Sequence, residues 1–370
     1  MWAGVVPGLG REEDVASKVT LLIPTKNRSD LLIRLLRYYR DLDFQGCICI
    51  GDSSDPSHVE RTKEGIKALQ GKLKIIYQEI PGLNITQCLK GLIDLAPTRY
   101  AAAVMDDDFL VPSSLQRCAL FLEAHPEYVA AHGVAALFSL KSGAAYGPIE
   151  GVGYYRQPVI EGESASQRLT DHLGKDAGTL FSMHRVESWR SMFRDASLAA
   201  DRAISEELLP SCMSVIQGKV KELDCLYLLR QVHDRRAFHL DVFDQLTSPN
   251  WFQSYQVFRE CLSEELVQQD GISVDEARRV VKRALWFYLA GGLAEGQDGS
   301  GPRSRWREGA RRIPALRWGW RQVRSFLPGK QHRVSLPALL RTSSPYHADF
   351  MPVYRAVTTP GLPRGMASVR

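Results

Sequence analysis

A chain of 370 residues with 44% hydrophobic and 24% charged residues can bury a full core and has the composition of a globular domain, which excludes a disordered or fibrous protein. Its net charge of +5 is unevenly spread: residues 301–341 hold eleven Lys/Arg against one acid, Glu308, so that segment carries +10 and the rest of the chain −5. The seven scattered cysteines form neither a disulfide framework nor a zinc spacing, no basic-then-apolar leader is present, and no apolar run reaches the ~18 residues of a membrane span, so a cytoplasmic location is expected.

In chain order, residues 1–17 read as a tail, and Val19 to Ile23 is a short β-rich run closed by Pro24. Leu31, Leu32, Leu35, Leu36 and Tyr39 then recur at helical spacing over Asp30 to Arg40. Cys47 to Ile50 forms a second buried strand ending at Gly51-Asp52, and Ser57 is expected to cap a polar helix reaching Leu69. Leu73 to Tyr77 reads as a third strand, Asn84 to Leu95 as a third helix, and Tyr100 to Met105 as a fourth strand. Strands separated by helices predict right-handed crossovers, hence an α/β fold with a mostly parallel sheet and its ligands at the carboxyl ends of the strands.

The polar clusters fall at those ends. Pro24-Thr-Lys-Asn-Arg28 follows the first strand, Asp52-Ser-Ser-Asp55 the second, and Asp106-Asp-Asp108 the fourth. Three adjacent carboxylates repel one another unless a cation or strong donors compensate, and hard ions such as Mg²⁺ favour oxygen ligands. No Walker loop is present and Gly-x-Gly-x-x-Gly does not follow the first strand, which argues against a P-loop NTPase and a dinucleotide-binding domain.

As an ordered set, Val19-Thr-Leu-Leu-Ile-Pro-Thr-Lys-Asn-Arg28, Gly51-Asp-Ser-Ser-Asp55, Gly82-Leu-Asn-Ile-Thr86 and Val104-Met-Asp-Asp-Asp108 resemble family-2-like glycosyltransferases of the GT-A fold. The resemblance implies a catalytic domain over 18–245, in which Thr25, Lys26, Arg28 and Asp52 hold a nucleotide and the triplet is the DxD motif. Asp106 would then touch the ribose, Asp108 would bind Mn²⁺ or Mg²⁺, and Asp107 would assist either. It makes Ser205-Glu-Glu-Leu-Leu209, a helix start with Ser as cap, the source of the catalytic base, with Glu207 preferred over Glu206. His233, after an extended stretch that includes Arg230, is the candidate third metal ligand. Asp176 to Arg185 is similar to the glycine-containing strand that passes the donor sugar. The implied reaction is transfer of a sugar from a nucleotide-diphosphate donor to a hydroxyl of a glycan or lipid-linked acceptor, inverting, in bacterial surface-polysaccharide or lipid-linked glycan assembly. The processive Gln-x-x-Arg-Trp motif is missing.

After residue 245 the pattern turns helical. Phe252 to Gln268 and Ser273 to Leu293 are amphipathic, with Val280, Val281, Leu285 and Phe287 expected in the core and Trp251 and Trp286 packing the extension 246–298 onto the catalytic domain. A Gly/Ser linker leads into the basic tail, 299–370, where Trp306, Trp318 and Trp320 lie among the arginines of 301–341. That composition matches a helix on an anionic membrane surface, a nucleic-acid-binding arm, and equally a basic, partly disordered tail; with the enzyme reading the expectation is a peripheral protein on the inner membrane face, with nucleic acid not expected as a partner. Two rivals remain: a nucleotidyltransferase, which lacks its glycine-rich phosphate loop here, and a non-catalytic membrane- or nucleic-acid-binding protein acting through the tail.

Overall fold

The computed structural model describes residues 18–69, 71–141, 145–174, 178–233, 242–297 and 333–359. The expected N-terminal tail and residues 301–332 of the basic segment lie outside them.

The first half is a run of β-α units: β1 (Val19–Thr25), α1 (Ser29–Asp41), β2 (Cys47–Asp52), α2 (Pro56–Lys67), β3 (Lys74–Glu79), α3 (Ile85–Leu95) and β4 (Tyr100–Ala103). β1 pairs in parallel with β2 and β4, and β2 with β3. Asn84 closes α3 with a capping box, its side chain accepting from Gln87 N while the Gln87 side chain takes Asn84 N. Helix α2 is entered through Asp55 and Pro56 rather than Ser57, because proline at the first helical position has its φ already set and no N–H to satisfy.

The second half holds β5 (Phe109–Leu110), α4 (Pro112–Ala124), β6 (Tyr128–Leu140), β7 (Ile149–Tyr155), α5 (Ala165–Leu173), β8 (Met183–Arg185), α6 (Val186–Phe193), α7 (Leu209–Gln217) and the long β9 (Lys219–Val232). Together they complete a nine-stranded sheet in the order β3-β2-β1-β4-β8-β6-β9-β5, with β7 on β6. Six strands point one way; β5, β7 and β8 run against their neighbours. The expected mostly parallel sheet flanked by helices is therefore what the chain forms.

Alternation along the strands divides the core in two. Leu21 and Ile23 of β1 and Tyr100 and Ala102 of β4 face the cluster containing α1 and α4, whereas Leu22, Ala101 and Ala103 face the cluster containing α3, α5, α6 and α7. Onto the second face pack α9 (Trp251–Asp270) and α10 (Val274–Gln297), preceded by the short α8 (Val242–Leu246). Trp251 is buried as expected, but Trp286 and Phe287 are 69% and 50% exposed, so the core-packing expectation fails for both. At about 100° per residue Trp286 falls opposite Val281, Ala284 and Leu285, and Phe287 falls at the margin of that buried face beside Val280.

The tail boundary also shifts. Residues 333–359 carry α11 (Leu336–Leu339) and α12 (His347–Thr358), and Val334, Leu339, Tyr346, Phe350, Val353 and Val357 are fully or almost fully buried in the α1/α4 core. Ser113 donates to Asp349 at 2.7 Å and Tyr346 to Asp224 at 2.6 Å, tying this segment to α4 and β9. The expected basic tail therefore ends in an apolar segment that belongs to the core. Among the described residues no helix is long and apolar enough to cross a membrane.

One buried group makes the fold acid-sensitive. His184 is fully buried on β8, 3.0 Å from Ser182 O and from Ser214 Oγ and edge-on to Trp189. Burial pushes its imidazolium down to about 3 from 6.5. The unfolded chain thus binds a proton that the folded chain refuses, and stability falls as pH drops from 6.5 towards 3, at about 1.4 kcal/mol per unit. Urea titrations at pH 7 and pH 5 are expected to show a smaller acid loss for His184→Gln than for the parent; equal losses would contradict this.

Candidate active site

Burying three adjacent carboxylates sets the terms of this site. Asp106, Asp107 and Asp108 form the turn between β4 and β5 and are 3%, 5% and 1% exposed. Ions so far from water need partners, and each element end supplies one. From β1, Thr25 Oγ1 donates to Asp106 Oδ2 at 2.7 Å; from the entry to α1, Arg28 lies 3.2 Å from Asp106 Oδ1 and 3.3 Å from Asp107 Oδ2. Arg34 on α1 is wholly buried and donates to Asp107 O, Gln231 Oε1 and Ala145 O at 3.0, 2.7 and 2.5 Å, with burial lowering its guanidinium to about 10.

The opposite flank comes from β9. The register pairs Phe109 with Leu229 and Leu110 with Leu228, which sets Arg230 beside Asp108. Arg230 Nε donates to Asp108 Oδ2 at 3.1 Å and Gln231 N to Oδ1 at 3.0 Å. The same guanidinium lies 4.0 Å over the Phe181 ring and 5.0 Å over Tyr155, to whose hydroxyl it donates at 3.0 Å. His233, just past β9, meets Asp107 Oδ2 at 2.8 Å.

Burial and the Asp107 charge push Asp106 and Asp108 up to about 7 in spite of the arginines. Burial acts on Asp107 too, but the His233 hydrogen bond and Arg28 outweigh it and hold that carboxyl below its ordinary range. The expected metal ligands therefore reach one sheet edge without converging. His233 meets Asp107 rather than Asp108, and among the described residues no three such groups form a coordination set. Oxygen donors of this kind suit a hard divalent ion, but in this arrangement Arg230 stands on Asp108, the ligand the sequence expectation assigns to it.

The nucleotide-binding candidates are only partly gathered. Asp52, buried at the end of β2, accepts from Tyr77 Oη and Ser54 N, both at 2.9 Å. Asn27, at φ 57°, exchanges side-chain and backbone hydrogen bonds with Asp55 and takes Ser54 Oγ on its N–H, closing the two loops on each other. Lys26 is exposed at their rim.

The turn Ile204–Leu208 is a π-helical widening just ahead of α7, a feature common at functional sites. Ser205 does not cap it; Asp201 does, accepting from Ile204 N at 3.1 Å while its own N–H donates to Ser254 Oγ at 2.8 Å. Glu206 is turned to Arg202, 2.8 Å away. Glu207 faces the other way: a Cβ added to Gly178 would lie 2.6 Å from its Oε1, and its charge raises the Tyr155 hydroxyl, which burial chiefly pushes up. The two glutamates that the sequence left open thus have different surroundings, and Glu207 shares a neighbour with Arg230. Asp176 and Ala177 lie outside the described residues, and the strand expected from Asp176 is confined to Met183–Arg185. Sequence reasoning missed Arg34, Tyr155 and Tyr77 and did not single out Phe181 within the Asp176–Arg185 segment; the Arg230–His233 strand end carried a signal.

No protein-family model matches the chain and no curated protein matches it. Among solved structures it is similar to S. aureus TarS 1–349 in complex with UDP-GlcNAc, at 12% identity over 81% of this chain and 80% of that one, TM-score 0.49. The longer S. aureus TarS chain aligns at 15% identity and TM-score 0.48 over 76% of this chain, which spans 45% of that one. The mannosyltransferase PcManGT from Pyrobaculum calidifontis, in complex with GDP-Man and Mn²⁺, aligns at 11% identity over 81% and 82%, TM-score 0.41. At such identities and scores these likenesses decide nothing about activity.

The Asp108–Arg230 pair is the testable joint. In urea unfolding at pH 8, Arg230→Gln, Asp108→Asn and their double variant should give a coupling energy of about 2 kcal/mol, since either single change strands a buried partner. A coupling near zero would show that the pair does not neutralise the triplet.

Proposed function

We propose that this chain is a glycosyltransferase of the GT-A, family-2-like type, moving a sugar from a nucleotide-diphosphate donor to a hydroxyl acceptor with inversion, in bacterial surface-polysaccharide or lipid-linked glycan assembly. One observation carries the reading: Arg28, Arg230 and the buried triplet meet at the carboxyl ends of the strands, and the Glu207 charge is near enough to raise the hydroxyl of Tyr155, to which Arg230 donates. Cations at one wall and a carboxylate at the other are what a displacement at a sugar carbon needs.

In this reading Thr25, Arg28, Asp52, Asp106 and Asp107 frame the nucleotide, with Lys26 at the rim for its phosphates. As the bond from the anomeric carbon to the diphosphate oxygen breaks, negative charge grows on the leaving group and the guanidinium of Arg28 stabilises it. Glu207 accepts the acceptor's hydroxyl proton while that oxygen forms the new bond to carbon. Mn²⁺ or Mg²⁺, held by Asp108 and Asp106 with His233 nearby, would add positive charge at the diphosphate. The domain division belongs to the same proposal: 18–245 as the catalytic unit, with α9 and α10 as its extension.

Calorimetry with UDP and GDP, and transfer assays with their sugar conjugates, test this. Glu207→Gln should bind the nucleotide like the parent and lose transfer by at least ~100-fold, whereas Glu206→Gln should transfer nearly normally. No binding of any nucleotide diphosphate at saturating Mn²⁺ would end the proposal. Transfer should stop in EDTA and return with Mn²⁺, and Arg230→Gln should lower the Mn²⁺ concentration needed in direct titration by about tenfold by removing the competing cation. Full turnover in EDTA would remove the ion and leave the arginines as the cations.

A further inference from the structure

We infer that the outer face of α10 is a docking surface for an anionic lipid membrane. Arg279, Lys282, Arg283 and Trp286 line one shallow cleft on this helix. At about 100° per residue they fall, with Ala290 and Leu293, within roughly a third of the helix circumference, opposite the buried Ala277, Val281, Ala284 and Leu285. Arg278 is engaged by Glu260, but from Ala277 to Ala294 the helix contains no acid, and the acids of its first turn, Asp275 and Glu276, are placed to suit the helix dipole. Cations therefore dominate the first half of the outer stripe.

Its second half is apolar. Trp286 is 69% and Phe287 50% exposed, Leu293 is exposed as well, and Gly292 sits so close to Val242 that α8 lies against this end of the helix. Phe243 of α8 is 64% exposed and Phe252, near the start of α9, 69%. Large apolar side chains kept in water beside a basic stripe cost free energy unless something covers them. A lipid surface meets both needs, taking the cations at its headgroups and the rings at the headgroup–acyl boundary. Nucleic acid would use the cations and could stack on the rings, but gains nothing from an exposed aliphatic Leu293. The chain's own basic segment, at +10 over 301–341, has the same sign as the stripe and is repelled by it.

Helix α9, against which α10 packs, also supports the turn that carries Glu207. Ser254, one turn into α9, holds Asp201, which caps the turn bearing Glu207. Seated this way, the protein would present Glu207 to hydroxyls of lipid-linked acceptors lying at the bilayer surface. That last step rests on the proposed function; binding to lipid does not.

Sedimentation of the full chain with phosphatidylcholine vesicles, with and without phosphatidylglycerol, tests the surface. The parent should bind only the anionic vesicles. Replacing Arg279, Lys282 and Arg283 by Glu should weaken binding on the order of 100-fold, and Trp286→Ser with Phe287→Ser about tenfold, with the unfolding midpoint unchanged because all five side chains are exposed. The basic segment is intact in every variant, so a loss reports α10. Binding equal in parent and variants, no binding by the parent, or a switch confined to duplex DNA binding or to self-association would each overturn the inference. Nucleotide calorimetry on the same samples separates the two proposals: failure there with vesicle binding intact removes the enzyme reading and leaves the surface.

Discussion

Neutralising the buried aspartate triplet is the constraint from which the architecture of this site follows. Three carboxylates in sequence, almost without water, are unfavourable unless cations are brought to them, and no one element can bring enough. Arg28 and Arg34 come from the first β-α connection and its helix, Arg230 from the far strand β9. Each contact fixes a different element against the β4–β5 turn, so the charge balance and the tertiary arrangement are one problem. The register of β5 on β9 matters for this reason: a shift by one residue would turn Arg230 to the other face of the sheet and leave Asp108 with neither guanidinium nor the Gln231 N–H.

The compensation is incomplete, and that is informative. Asp106 and Asp108 still sit near 7 while Asp107 is held low, so the central carboxylate keeps its charge and the outer two are poised. In the proposed reading, these acids and the guanidiniums beside them would be the groups that exchange partners when a polyanion binds. The Phe181 ring 4.0 Å from the Arg230 guanidinium and the Tyr155 ring 5.0 Å from it restrict that side chain, so little of its rotamer freedom remains to be lost. The π-widened turn gives Glu206 and Glu207 different surroundings, although they are neighbours in sequence.

Much of this is legible in the sequence alone. The β-α alternation, the three polar strand ends and the odd composition of the triplet are local patterns, and each survives in the structure as strand, loop or turn, because alternation and helical spacing record which face a residue buries. The legible part stops where contacts are made at long range. Ser205 looked like a cap since Ser followed by two Glu is a good local start, but Asp201 took that place through its bonds with Ser254 and Ile204. Trp286 and Phe287 looked like core because they are large and apolar; only the rotation of α10 against α5 and α9 shows that they face outward. Val334 to Val357 was hidden by the arginines before it.

What the residues determined by themselves was the order of elements, the α/β class and the location of the charged clusters at strand ends, since these depend on neighbours a few positions apart. Which cation stands on which aspartate, which glutamate turns inward and which aromatic side chains stay in water were settled by packing between separate elements, across 78 residues for Arg28 and Asp106 and 122 for Asp108 and Arg230. Such pairings are chosen by the cost of burying charge in one particular fold, and that cost exists only once the fold has excluded water from the site.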